Sequence, residues 1–588
     1  MLRSTFRSLL CTVLLIIHAS FGAVIFQSID ALPPGIEYDF IVAGGGVGGS
    51  LVATRLAQNQ KWNVLVVEAG ASNEDFWETR VPGFWPLLGK TAMDWNYTTV
   101  PQPGLNNRAV DYSRAKVLGG CSSHNAMIYT RGSKSEWNQY AEVTGNKGLK
   151  WNSVLPLLMK AEKWGQSPNA SSNTGHYNPA FHGKGGELLT QAPYSIHPFN
   201  DMLMQSSKEL PDEFPFDEDW SDGTPIGTSA ISPEAERSSA ATAFLGNTGK
   251  NVHVLLHTQV TRVLPTTSHG TEFRIIEVGS GPGSKLRQIK AKREVILSSG
   301  IFGTPQILQN SGIGKQSDLD AAGVRTIVDN PSVGKNLSDH VSAFATFSTN
   351  IAVTTYNQTV ALQEWNTTRT GPLTRSFQLN HMSFIRLPED SPPFTTEGFS
   401  DPTSGKDTPH VEFTFFAIGS PDPANGVVNA TVQVYVINLH PISRGSVTIK
   451  SSDPFEYPSI DVGLLAEKMD MSVLREGIRS LRRLFSAPVF NGSIFGSVIP
   501  PANVTSDEDL ESFLRATGGT WLHGVGSASM SPKGARWGVV DPDFRVKGTK
   551  GLRVVDASVI PLLPSAHTQV PTYGFAEVAS LMIAQQYA

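Results

Sequence analysis

The hydrophobic pattern along the chain changes character several times, and each change predicts a different element. Tyr38-Asp39-Phe40-Ile41-Val42-Ala43 is a short, mostly apolar run that passes straight into Gly44-Gly45-Gly46-Val47-Gly48-Gly49. An apolar run of this length closed by glycines reads as a buried strand. Ser50 to Gln58 then has helical character, and a second apolar run, Trp62 to Val67, closes at Glu68-Ala69-Gly70. Strand, turn, helix and strand in that order begin a parallel sheet, so the fold class is α/β.

Further along, Trp151 to Asp222 mixes helical segments with Asn-, Ser- and Gly-rich turns, Asn251 to Leu264 is β-rich, and Glu294 to Leu297 reads as another strand. From about Ala343 to Pro500 polar and apolar residues alternate, as in Val432 to Asn438 and Ser446 to Lys450. That period suits an antiparallel sheet with unlike faces, expected to build a second domain. The C-terminal stretch returns to Gly-rich turns and a final helix, Tyr573 to Ala584. No internal repeat or long low-complexity linker interrupts the chain.

Length sharpens this organisation. A chain of 588 residues exceeds the size at which a single core keeps growing, so two domains or one large composite unit are expected. The expected division is a leader at 1–23, a nucleotide-binding domain at 36–345 with interspersed substrate-domain segments at about 151–235, a substrate domain at 346–515, and a return to the first domain at 516–588.

The N-terminus has its own signature. Arg3 and Arg7 precede the apolar run Leu9 to Ala19, and the small residues Ser20, Gly22 and Ala23 follow. This is the pattern of a secretory signal peptide, and the run is too short to span a bilayer. A secreted, extracellular product is therefore expected, with no membrane partner. Cys11 falls inside the leader, leaving Cys121 alone and no intrachain disulfide. Sequons at Asn96, Asn169, Asn336, Asn357, Asn366, Asn429, Asn491 and Asn503 are potential glycosylation sites wherever they are exposed. A net charge of -5 lacks the basic surplus of a nucleic-acid binder.

The glycine turn carries the first chemistry. Gly44 permits the tight turn, Gly46 lets the backbone approach a pyrophosphate, and Gly49 allows the helix to pack closely. Phosphates then meet the unpaired N–H groups of the helix N-terminus. Glu68, at the end of the next strand, can accept hydrogen bonds from ribose hydroxyls. The motif grips the adenosine diphosphate half common to FAD and NAD, and leaves the choice between them open.

Longer stretches decide it. Arg114 to Asn125 (RAKVLGGCSSHN) resembles the first signature of the glucose-methanol-choline oxidoreductases, and Gly300 to Leu308 through Ser311 to Gly314 resembles the second. Ile301 stands where that family more often has a small residue. Val333 to His340, Ser443 to Val447, Leu522 to Gly526, Val540 to Pro542, Leu552 to Ala557 and Ala566 to Gln569 resemble further family stretches in the expected order. Within the family the chain is most similar to fungal pyranose dehydrogenases, and next to aryl-alcohol oxidases. The resemblance implies a Rossmann-like FAD-binding domain joined to a substrate domain on an antiparallel sheet. It implies FAD with its adenosine on the Gly44 to Gly49 turn and Glu68, its adenine beside Val260, and its flavin near Gly120, Ser122, Asn125 and Asp556. His124 follows the pattern of members that bind the flavin covalently.

Oxidising an alcohol requires a group that takes the hydroxyl proton while hydride leaves for the flavin. Histidine suits this, because its ordinary pKa near 6.5 leaves it largely neutral at pH 7. Of 14 histidines, His523 and His567 lie in the C-terminal motifs, and the resemblance assigns His523 as base and His567 as the group orienting the alcohol. Trp521 precedes the base and can line the substrate site or belong to the core. No G-x-S-x-G elbow follows a strand, and neither H-E-x-x-H nor paired cysteines occur, so serine hydrolysis and a metal centre are disfavoured. The expected function is a secreted pyranose dehydrogenase that oxidises ring hydroxyls of monosaccharides or oligosaccharides and passes electrons to a quinone or radical acceptor, acting as a monomer. The alternatives are an aryl-alcohol or other oxidase using oxygen, a choline-type enzyme, a lyase that keeps FAD without redox turnover, and a binding module without chemistry.

Overall fold

A computed structural model describes residues 22–165, 178–192, 197–215, 229–353, 356–376, 379, 381–421 and 428–588. Most of the expected leader, the sequon at Asn169 and parts of the 151–235 region lie outside the described residues.

Two sheets organise the molecule. The first has eight strands, and its parallel part runs Val24–Phe26, Val252–Leu255, Val64–Val67, Tyr38–Ala43 and Arg287–Leu297, with Leu552–Val554 also parallel to the last of these. Tyr38–Ala43 and Val64–Val67 are buried at every position, as strands covered on both faces must be. The helix Val47–Ala57 starts inside the glycine turn, and the C-terminal helix Gln569–Tyr587 packs against it. Both helices are longer than the sequence pattern marked, because glycines and a proline continue them once tertiary packing holds their backbone. The β-rich stretch at 251–264 resolves into two strands, Val252–Leu255 and Gln259–Pro265. The second of these leaves the parallel array and pairs antiparallel with Phe273–Gly279.

The second sheet is antiparallel, in the order Met382–Ile385, Val411–Pro421, Val428–Asn438, Val341–Thr349, Ile494–Ile499, with Gly519–Thr520 on the edge of Val341–Thr349. The helix Lys468–Leu484 covers one face of it, and Val434, Val436, Phe413 and Phe415 are fully buried there. The expected boundary at 345–346 falls inside the strand Val341–Thr349.

Strand Val341–Thr349 matters most for function. The residues just before it, Ser338 to His340, exchange backbone hydrogen bonds with Trp521 and Val525. The antiparallel sheet is thereby tied to the turn that carries His523.

Candidate active site

The glycine turn has the shape a bound dinucleotide needs. Gly44 has φ +105°, a region L-side chains rarely adopt, and an added Cβ would lie 2.4 Å from the Ser298 carbonyl oxygen. A Cβ on Gly49 would lie 2.0 Å from the Gly44 carbonyl oxygen, so the helix rests directly on the strand. Gly46 faces the Cα of Gly120. The turn thus approaches the Gly119-Gly120 backbone with no side chain between them.

A cavity of about 580 Å³ opens from this turn. Gly44, Gly46, Glu68, Gly120, His124, Asn125, Val260, Asp556, His523 and His567 all line it. Gly49 and Ser122 do not. Ser122 is buried, donates to the Gly119 carbonyl oxygen at 2.6 Å and accepts from the Ala240 N–H at 2.8 Å. Its hydroxyl holds two segments of the cavity wall together.

The carboxylates on the nucleotide side are held by backbone N–H groups. Glu68 accepts from Gly45 and Gly70, each at 2.9 Å. Burial raises its carboxyl above the ordinary range, and those N–H groups offset this only in part. Asp556 accepts from the Gly300 N–H and Thr304 hydroxyl on one oxygen and from Ser558 on the other. Its side chain fixes the helix start at Gly300. Asn310 is buried and lines the same cavity, and among the described residues neither atom of its amide has a partner. A buried amide without a partner at a cavity wall calls for a polar group nearby, which fits a dinucleotide in this cradle.

Around His124 the structure adds residues that motif reading missed. Its Nε2 lies 3.2 Å from the Ser113 hydroxyl and 3.6 Å from Asp94 Oδ2, and Ser113 itself donates to Asp94. Burial would raise the Asp94 carboxyl, but hydrogen bonds from His124, Ser113 and the Asn96 and Lys90 N–H groups hold it well below the usual range. Asp94 lies between the glycine turn and the Arg114 to Asn125 stretch, about twenty residues before the latter and in neither motif, so only the fold brings it here. Asn125 is also fully engaged, donating to Gln569 at 2.6 Å and accepting from Arg237 at 3.0 Å.

The two late histidines meet. The rings of His523 and His567 are 4.5 Å apart in an edge arrangement. Leu522, immediately before His523, has φ +62°, and the strained turn is held by Asp339, which accepts from the His523 N–H at 2.7 Å, from the Tyr112 hydroxyl at 2.9 Å and from the Thr520 hydroxyl. Thr130 and Glu136 hold the other turn, accepting from the His567 and Ser565 N–H groups.

The groups behind the two rings differ. His523 Nδ1 lies 2.9 Å from His340 Nδ1. His567 Nε2 lies 3.0 Å from Glu412 Oε1, which also accepts from Thr414. Burial pushes the His523 imidazole well below its ordinary value, and His567 and Arg114 push the same way. Burial alone would raise Glu412, yet the charge and hydrogen bond of His567, with Thr414 and His340, bring its carboxyl below the ordinary value. His523 is therefore suited to be a neutral base, while Glu412 stays ionised against His567. Trp521, Tyr435 and Phe416 form one wall of the cavity, with ring separations of 4.7 Å and 5.4 Å along the series. Trp521 thus lines the site. Among the described residues no cluster of His, Cys, Asp and Glu could hold a metal ion, and no helix is long and apolar enough to cross a membrane.

Models of the GMC oxidoreductase family match residues 38–342 and 441–576. The chain is 51% identical over 581 residues to a pyranose dehydrogenase of Agaricus campestris, covering 96% of each chain. It is 49% identical over 586 residues to pyranose dehydrogenase 3 of Leucoagaricus meleagris, covering 97% of this chain and 96% of the other. Among solved structures, a variant of formate oxidase from Aspergillus oryzae superposes with a TM-score of 0.83 at 29% identity, covering 94% of this chain and 99% of that one. A fungal aryl-alcohol oxidase superposes with a TM-score of 0.80 at 26% identity, with coverage of 94% and 99%.

Proposed function

The chain belongs to the glucose-methanol-choline oxidoreductase family of FAD-dependent enzymes acting on CH–OH donors, and from that premise we propose that it is a pyranose dehydrogenase. Its substrate is a monosaccharide or oligosaccharide whose ring hydroxyl is oxidised to a ketone, and its electrons leave to a quinone or radical acceptor. The observation that carries this reading is the pair His523 and His567, joined at 4.5 Å in the same cavity as the glycine turn and facing an aromatic wall.

FAD, when bound, supplies the acceptor for the hydride that leaves the alcohol carbon. The protein's part is the proton and the geometry. His523 takes the hydroxyl proton, so the C–H pair can leave and the carbonyl can form. His567, backed by Glu412, donates to the alcohol oxygen and favours the negative charge that grows there. Trp521 and Tyr435 offer aromatic faces to the sugar ring and exclude water. The turn Gly44 to Gly49, Glu68, Val260 and Asn310 hold the adenosine diphosphate half.

We further infer that FAD is attached through His124. Asp94 and Ser113 face Nε2 of His124 and hold the hydrogen of the neutral ring there, which would leave the Nδ1 lone pair as the nucleophile. The bond it forms would replace a C–H bond of the flavin's ring methyl, the proton going to solvent and the two electrons to the enzyme's own acceptor. Acid precipitation of the holoenzyme tests this: the flavin should stay with the polypeptide and leave it in His124→Ala, and free flavin from the unaltered protein would refute the linkage. The leader pattern supports secretion, and protein recovered from culture medium with a new N-terminus near residue 24 would establish it.

A substrate screen decides the activity. Sugars should bleach the flavin anaerobically, a quinone should recolour it, and little hydrogen peroxide should form in air. Peroxide at the full turnover rate with aromatic alcohols would make the chain an oxidase of the aryl-alcohol kind, and no bleaching by any alcohol would leave the lyase reading.

A further inference from the structure

His340 stands outside the alcohol-facing pair, and no step above uses it. It is fully buried, and both of its ring nitrogens are engaged. Nε2 lies 2.9 Å from the carbonyl oxygen of Pro564, and Nδ1 lies 2.9 Å from Nδ1 of His523. Two imidazole nitrogens facing each other share one hydrogen. Which ring owns it decides which nitrogen of His523 is basic.

The bonding partners settle the ownership. A carbonyl oxygen only accepts, so Nε2 of His340 carries a hydrogen. Were Nδ1 of His340 to carry one too, the ring would be a cation with no carboxylate in contact. Burial opposes that and pushes His340 down to about 3, with Glu412 acting the other way and His567 and His440 acting with burial. Nδ1 of His340 is therefore a lone pair, and the shared hydrogen sits on Nδ1 of His523. A neutral imidazole carries only one, so Nε2 of His523 is bare. Among the described residues no protein group bonds that nitrogen.

Resting on the reading of His523 as base, we infer that His340 is a positioning residue that fixes the tautomer of His523, keeping the Nε2 lone pair available to the alcohol. The backbone holds the two rings in register, since the Trp521 N–H donates to the His340 carbonyl oxygen at 2.9 Å. Pro564 belongs to the turn that carries His567, so one ring joins both histidine turns. When His523 takes a proton, its Nδ1–H still points at the lone pair of His340. That favours the imidazolium and spares any side-chain rearrangement during turnover.

The test compares two variants in the holoenzyme. His340→Phe removes both nitrogens and keeps a ring. His340→Asn restores an acceptor near the Nδ1 position while also losing the bond to Pro564, so the difference between them isolates the acceptor. With His340→Phe, flavin reduction by the fastest sugar should slow by roughly 10²-fold, the lower end of what a positioned base contributes, with little change in KM. The acid limb of its pH profile should move to lower pH, because the imidazolium of His523 has lost an acceptor while His567, Glu412 and Arg114 face it unchanged. His340→Asn should recover most of the rate and the position of the limb. Equal rates for Phe and Asn, or a wild-type rate for Phe, overturn the inference.

If His340→Phe does not retain flavin, the wild-type holoenzyme still decides the point. Solid-state nitrogen spectra with ¹⁵N-labelled histidine, assigned by difference from His523→Ala, should show the hydrogen of His523 on Nδ1. A hydrogen on Nε2 overturns the assignment. That spectrum needs no substrate, so it separates failure of this inference from failure of the sugar-oxidising reading.

Discussion

The nucleotide cradle and the histidine pair share one cavity, yet they are built in opposite ways. In the cradle, Gly44, Gly46, Gly49 and Glu68 lie within twenty-five residues, and the Glu68 carboxylate is held by backbone N–H groups of Gly45 and Gly70. At the histidines, the working groups come from four distant segments at 340, 412, 523 and 567, and side chains hold side chains. The first arrangement needs only a local backbone path, whereas the second needs two sheets and two turns to be in place together. Burial acts on both with opposite consequences. It raises the carboxyls of Glu68 and Asp556 and lowers the imidazoles of His340 and His523.

The comparison predicts that the two regions fail separately. Gly44→Val places a Cβ 2.4 Å from the Ser298 carbonyl at a φ that valine rarely adopts. This variant should be purified without flavin, and the ratio of absorbance at 450 to 280 nm should fall to that of apoprotein. His523→Ala should keep a full complement of flavin and lose roughly two to four orders of magnitude in the rate of flavin reduction. Normal stopped-flow reduction in His523→Ala would remove the base assignment, and normal flavin content in Gly44→Val would remove the cradle. In the unaltered enzyme His523, as the proposed base, must be unprotonated, and burial lowers its pKa. Reduction should therefore be flat above about pH 6.5 and fall only in more acidic solution.

This difference also explains what the sequence could show. The strand and helix around the glycine turn were legible because the apolar period and the glycines lie side by side. His523 and His567 were visible because each sits in a short recognisable motif. Glu412 was not, since a glutamate on an alternating strand reads as its solvent face, and only the antiparallel sheet points it at His567. Asp94 and Ser113 lie in irregular segments without a period of their own. Ser122 was expected beside the flavin because its motif is there, but its hydroxyl bonds Gly119 and Ala240. The extension of the last helix to Gln569 depends on packing against Val47–Ala57, which no local pattern records.

A smaller effect is expected where a charge alone is removed from the histidine region. Glu412→Gln keeps an oxygen for the His567 Nε2–H but withdraws the negative charge behind the ring. A hydrogen bond to a charged group contributes about 1.5–3 kcal/mol, so reduction should slow by roughly tenfold to a hundredfold while flavin content stays complete. The analogous change in the cradle, Glu68→Gln, should affect retention of FAD in apoprotein reconstitution and leave the pH profile of reduction in place. An unchanged rate in Glu412→Gln would show that the carboxylate serves the fold and not the alcohol.

The smallest effect is on acid stability, and its sign separates the regions once more. The folded-state pKa of His340 is down to about 3, and His440 is down to about 3 as well, with His523 also lowered. An unfolded chain binds protons at these positions below about pH 6.5, while the folded chain does not. Unfolding therefore takes up protons in that window, and stability falls as pH drops from about 6.5 towards 3. Glu68 and Asp556 have raised pKa values, so they bind protons more readily when folded and oppose this loss. Between pH 7 and 5 Glu136, whose carboxyl burial raises to about 7, opposes it too, but the lowered histidines, His197, His253 and His410 among them, outnumber this carboxyl. The holoenzyme should show a Tm that declines across that interval, and His340→Asn should decline less steeply because one buried imidazole is gone. Equal slopes for the two proteins would mean that His340 is already protonated in the fold, and that its hydrogen bond to His523 runs the other way.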